Sequence, residues 1–147
     1  MAGTFLQVNN GALARMLADI LANGFGNGGP GDPSIGLYTS PYAPAPADTI
    51  ATYAAIEAAW SGYARALAPL VGWTGPTIIG NGAYVLGVST TWTRGLVAGG
   101  PATVYGYFVV TASGDLAWAQ ELPAPIPVNN PGDSFPLTPQ YSYLSQH

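Results

Sequence analysis

The residues able to do chemistry in this chain are few. The only histidine is the last residue, His147, where a chain end is usually frayed, so no histidine-centred triad or metal site is expected. There is no cysteine, which removes thiol nucleophiles, disulfides and cysteine-zinc clusters. Seven carboxylates remain: Asp19, Asp32, Asp48, Glu57, Asp115, Glu121 and Asp133. Two carboxyl groups at a fixed separation suffice for acid-base cleavage of a glycosidic bond, and Glu57 with Glu121 is the pair that could supply them. Loop carboxylates such as Asp32 or Asp133 could join backbone carbonyls around calcium, although no spaced D-x-D-x-D run is present. Others have structural readings, Asp48 as a helix N-cap and Asp115 and Asp133 beside glycine in turns. On balance no catalytic residue, cofactor or metal is expected.

Two binding chemistries can be weighed in the same way. The glycine-rich Gly24–Gly31 stretch lacks the Lys and Ser/Thr of a phosphate loop and does not lead from a strand into a helix, so it reads as a linker. The only cations are Arg15, Arg65 and Arg94, far apart, and the net charge is −4, so nucleic acid has no electrostatic foothold. Aromatic residues are plentiful, among them Trp60, Tyr63, Trp73, Trp92, Tyr107, Trp118 and Tyr141. Most should be core, but an exposed row could stack on sugar rings, which makes a carbohydrate-binding or adhesive surface module the alternative reading.

Only 7% of the residues are charged, against about 25% in an average domain, which leaves much of the surface to small neutral residues. Such a surface suits burial against neighbours and predicts a homo-oligomer, with a trimer as the expected closed form. Met1–Val8 lacks a basic and an apolar stretch, so it does not read as a secretory signal and synthesis in a cytoplasm is expected. The uncharged run Ala66–Thr93 is interrupted by Pro69, Gly72, Gly75, Pro76, Gly80 and Gly82, so it reads as two strands and a turn and no membrane insertion is expected.

The elements that must position these residues follow from periodicity. Leu13, Met16, Leu17, Ile20 and Leu21 form the stripe of an amphipathic helix over residues 12–23, and this stripe is the candidate interface. Residues 1–24 are taken as a helical segment, 25–34 as a glycine-rich linker and 35–147 as one β domain. Within it, Asp48 caps a short helical turn through Tyr53, and an alternating pattern suggests a strand over Trp60–Leu67. Further strands are expected at Ile35–Thr39, Ala83–Thr93, Ala102–Thr111, Leu116–Leu122 and Phe135–Leu144, with a hairpin around Ser113-Gly114. Pro123, Pro125, Pro127 and Pro131 make Leu122–Pro131 a loop or a strap across a sheet edge. Short strands with Gly and Pro turns predict a mainly β fold, a β-sandwich or jelly roll, with one short N-terminal helix.

Three stretches resemble a known family: Gly36-Leu37-Tyr38-Thr39 with its Pro-rich link, Ala59-Trp60-Ser61-Gly62-Tyr63-Ala64, and Val104-Tyr105-Gly106-Tyr107-Phe108-Val109 followed by Leu116-Ala117-Trp118-Ala119-Gln120-Glu121. They are similar to small virion proteins of tailed bacteriophages, in which "LFTN…P", "SGYA" and "VYGYFV…LWAE" segments recur in that order before a "GD" turn and a last strand. The resemblance implies a non-enzymatic head decoration, head-fibre or related virion component that binds capsid or tail proteins of a repeating lattice. It implies no catalytic residues.

Overall fold

The computed structural model describes residues 31–69, 73–74, 77–79, 82–96 and 102–144. The amphipathic stripe Leu13, Met16, Leu17, Ile20 and Leu21, and residues 25–30 of the glycine-rich linker, lie outside the described residues. Within them the chain is mainly β, and every strand pairing is antiparallel.

The largest sheet has the order β2-β1-β6-β7, from β2 (Ala66–Leu67), β1 (Ser34–Tyr38), β6 (Ala102–Val110) and β7 (Leu116–Val128). A second sheet is formed by β3 (Thr77–Ile79), β4 (Gly82–Leu86) and β9 (Gln140–Leu144), and a ribbon by β5 (Thr90–Thr93) and β8 (Ser134–Leu137). The one helix among the described residues, the short α1 (Ile50–Ala54), follows the Pro-rich link.

The two central strands of the large sheet are covered on both faces. Along β1 and β6 nearly every residue is buried, so the alternation of a half-exposed strand is lost. One face carries Ile35, Leu37, Tyr107 and Val109, which meet Trp60, Trp92, Phe135 and Leu137. The other carries Tyr38, Phe108 and Val110, covered by Tyr53 and, at its margin, Tyr42, Ile50 and Ile56.

The pairing of β1 with β6 explains two of the stretches singled out in the sequence. Each contains glycine two residues before an aromatic residue, and the antiparallel register sets Gly36 opposite Phe108 and Tyr38 opposite Gly106. Each aromatic side chain lies over the glycine facing it. A Cβ on Gly36 would fall 2.2 Å from Phe108 Cζ, and one on Gly106 would fall 2.2 Å from the Tyr38 hydroxyl. Phe108 in turn stacks on Tyr53 at 5.3 Å. The glycines thus leave room for two rings on a face that a short helix closes.

The third segment is a turn. Tyr63 N–H donates to Trp60 C=O at 3.0 Å, and Gly62 sits at the third position with φ of 83°, where a side chain would be strained. Trp60–Arg65 is therefore not the strand that its alternation suggests. Only Ala66 and Leu67 pair, with Ile35 and Ser34. Beyond that short pairing Leu37 N–H would lack an acceptor, and the Tyr63 hydroxyl supplies it at 3.0 Å.

Other expectations are corrected by topology. Ala83–Thr93 divides into β4 and β5, which belong to different sheets, and Phe135–Leu144 divides likewise into β8 and β9. Leu122–Pro131 is not a loop, since β7 continues to Val128 and pairs Ile126 with Val104 and Val128 with Ala102. Proline is tolerated there because β7 is an edge strand, and a position whose N–H would point away from β6 loses no ladder bond. The helix cap is Thr49, whose N–H donates to Thr52 Oγ1 at 3.4 Å, and not Asp48. The hairpin around Ser113-Gly114 is present, with Gly114 at φ 94°.

Candidate functional site: two clefts beside the edge of β7

The strand β7 follows the tight Thr111–Asp115 turn and is the outermost described strand of its sheet. Its first half, Leu116–Gln120, holds no proline and no charge. Register with β6 decides which way each side chain points. Trp118 pairs with Val109 and Gln120 with Tyr107, so these two lie on the face of the tryptophan-rich core. Ala119 pairs with Phe108 and lies on the helix-covered face together with Leu116.

A cleft opens on each of these faces. On the Trp118 face, a cleft of about 250 Å³ lies between β7 and β9, lined by Trp118, Ala119, Gln120, Gln140, Tyr141 and Ser142. Trp118 is 5.0 Å from the Tyr141 ring and 5.8 Å from Trp73, which meets it edge-on. The floor is tied by Tyr107, whose hydroxyl accepts Gln140 N–H at 3.0 Å and lies 2.7 Å from Gln120 Oε1, a partner for its one proton. Burial raises the Tyr107 pKa, so the hydroxyl stays protonated and able to donate.

On the opposite face a cleft of about 360 Å³ is walled by Pro44, Ala45, Pro46, Asp48, Tyr53 and Leu116–Ala119. Asp48 organises that wall. Its carboxylate accepts the Tyr42 hydroxyl at 2.6 Å, Ala45 N–H at 2.8 Å and the Tyr53 hydroxyl at 2.9 Å. The Tyr42 bond first and the Ala45 bond second hold its carboxyl below the usual aspartate range. Burial, then the bond to Asp48, pushes the Tyr53 hydroxyl well above the usual tyrosine value. Among the described residues neither cleft is lined by a cation.

The carboxylates singled out for chemistry are placed as follows. Glu57 bridges to Tyr38, Tyr38 pairs with Gly106, and Gly106 with Glu121, so the two glutamates end one row across the sheet. Three strand spacings put their backbones roughly 14 Å apart, with the Tyr38 hydroxyl between them, pushed up to about 12 by burial and then by Glu121. Glu57 is engaged elsewhere, bidentate to Arg65 at 2.8 and 2.7 Å and accepting the Tyr63 hydroxyl at 2.8 Å. The structure does not bring the pair together across a cleft. Asp133 accepts Asn129 and Asn130 N–H at 2.9 and 2.8 Å and so fixes a turn, and Asp32 is exposed near the start of the described residues. Among the described residues no three His, Asp or Glu side chains gather at a metal-binding distance, and no helix is long and apolar enough to cross a membrane.

No family model, curated protein or solved structure matches the chain. Sequence reasoning named Trp118 and Tyr141 only as two aromatics among many, and did not see that they face one another across two sheets. The signal available was the uncharged Leu116–Gln120 run set against the prolines that follow it.

Proposed function

We propose that this chain is a non-enzymatic structural protein of a virion, a single β-sandwich domain attached to a repeating capsid or tail lattice in a decoration or fibre-type role. The observation that carries the reading is where the recurrent segments lie. Gly36-Leu37-Tyr38 and Gly106-Tyr107-Phe108 build the reciprocal glycine-aromatic pairing, and Ser61-Gly62-Tyr63 makes the turn whose tyrosine completes the β1 ladder. What resembles the phage proteins is thus scaffold, as expected where a fold is kept for the surface it presents.

The sandwich assignment draws on the packing of β1 and β6 side chains against Trp92, Phe135 and Leu137 of the β5-β8 ribbon. The low charge supports attachment through apolar and backbone contacts, with many copies raising avidity by about 10²–10⁴ over a single contact. A carbohydrate-binding or adhesive role is the second reading, favoured by the Trp118 and Tyr141 rings beside two glutamines in one cleft.

Cryo-electron microscopy of particles or filaments carrying the chain tests the first reading. Regularly repeated density, with attachment that varies little between low and high salt, is the expected result. A chain that never associates with particles, yet binds a defined glycan tightly, replaces it with the second.

A further inference from the structure

We propose that the edge of β7 over Leu116–Gln120 is a docking site for an extended peptide segment of another protein, uncharged over about five residues and flanked by Lys or Arg, which adds to the sheet as a further strand. The proposal stands apart from the particle reading and holds for any partner of this chemistry.

The two halves of β7 treat their outer edge differently. An edge strand presents a row of backbone donors and acceptors that can template another strand, and natural sheets blunt it with proline, charge or bulges. The second half of β7 carries all three, with Glu121, then Pro123, Pro125 and Pro127, and a register irregularity opposite Val104–Gly106. The first half carries neither proline nor charge, and of the three devices has only a register irregularity at Ala117, between the Trp118–Val109 and Leu116–Val110 pairs.

Strand addition draws affinity from main-chain hydrogen bonds and specificity from pockets that take alternate side chains. Alternate side chains of an added strand point to opposite faces of the sheet. The clefts of about 250 and 360 Å³ lie beside this segment on opposite faces, and Trp118 and Ala119 contribute to both. Successive side chains of an added strand would enter them in turn.

Charge selects the occupant. Asp115 and Glu121 bound the segment at its two ends, both exposed, and Asp48 stands in the wall of the larger cleft. Self-pairing of two copies centred on Trp118 would set Asp115 of one copy against Glu121 of the other, like charges opposite one another. Nor can a second copy supply complementary flanks. The chain has no lysine, and of its three arginines Arg65 is paired with Glu57 and Arg94 is buried, donating to the Val128 carbonyl, which leaves Arg15 as a single cation where two flanks are needed. The cations must come from a different protein.

The test is fluorescence anisotropy with the full chain and three labelled nonapeptides sharing a Val-Thr-Val-Thr-Val core: one flanked by Lys pairs, one by Glu pairs, and one Lys-flanked with proline at the central core position. The Lys-flanked peptide is expected to bind at least about tenfold more tightly than either other peptide, and to slow amide hydrogen exchange within Leu116–Glu121. Glu121→Lys, an exposed change, is expected to abolish the preference for Lys flanks with the melting temperature unchanged. Absence of binding by the Lys-flanked peptide, equal binding of the proline peptide, or protection confined to another strand each overturns the proposal. So does occupation of the Trp118 cleft by a neutral glycan that competes with no peptide.

Discussion

Replacing Gly106 by alanine tests the glycine-aromatic pairing in its least forgiving position. On propensity alone the change should help, because glycine inside a strand costs about 0.5–1 kcal/mol relative to alanine. The structure opposes this. The new methyl would stand 2.2 Å from the Tyr38 hydroxyl, 2.3 Å from Tyr38 Cζ and 2.3 Å from the Gln120 carbonyl oxygen. The tyrosine could swing aside only by leaving its contact with Tyr53, 5.5 Å away, and the carbonyl belongs to the paired strand. Overpacking costs typically about 1–3 kcal/mol, and a backbone obstacle places this site at the upper end. Subtracting the propensity gain leaves a net loss of about 2 kcal/mol. At about 4 °C per kcal/mol for a domain of this size, the melting temperature should fall by about 8 °C. Thermal unfolding by circular dichroism reads it directly. Adding Tyr38→Phe should restore only part of the loss, because the Gln120 carbonyl remains in the way. A melting temperature equal to or above that of the parent would refute the pairing argument.

Further outcomes can be checked with the same preparations. Tyr63→Phe leaves the buried Leu37 N–H without its acceptor, and urea unfolding should show a loss of about 1–3 kcal/mol. Asp48 has a folded pKa below its unfolded value of about 3.9, so its contribution is present above that value and lost as pH falls through the folded one. The difference in urea midpoint between the parent and Asp48→Asn should accordingly be full at pH 7 and shrink once the pH falls below the unfolded value. Replacing Leu17 and Leu21 together by Asp should lower the assembled mass seen by light scattering, whereas an unchanged mass and melting temperature would reject the stripe as an interface.

What could be read from the sequence, and what could not, divides along the range of the interactions responsible. β1, β6 and the first half of β7 carry β-branched and aromatic residues between glycine turns, and local propensity is enough to find them. The second half of β7 was misread because three prolines argue against a strand unless that strand is known to lie at an edge, and edge position is a property of the whole sheet. Trp60–Arg65 alternates like a strand, yet Gly62 takes a left-handed φ and turns the chain so that Tyr63 reaches Leu37. Asp48 looked like a cap from its neighbours, while its actual partners include the hydroxyls of Tyr42 and Tyr53. The clefts were illegible for the same reason, since Trp118 meets Tyr141 only through the packing of two sheets.

The pairing of β1 with β6 also has a consequence in time. The two strands meet across about sixty intervening residues, whereas β6 and β7 are joined by the Thr111–Asp115 turn. Closing the longer loop costs more entropy before any contact rewards it, so the hairpin should form early and β1 should dock late. Until it does, β6 is an unpaired edge of nine mostly buried-type residues, with Gly106 marking the notch that awaits the Tyr38 ring. A newly made chain therefore passes through a stage in which its stickiest strand is open to any other copy nearby. Yield on refolding should fall steeply with protein concentration, even though the finished domain buries most of that strand.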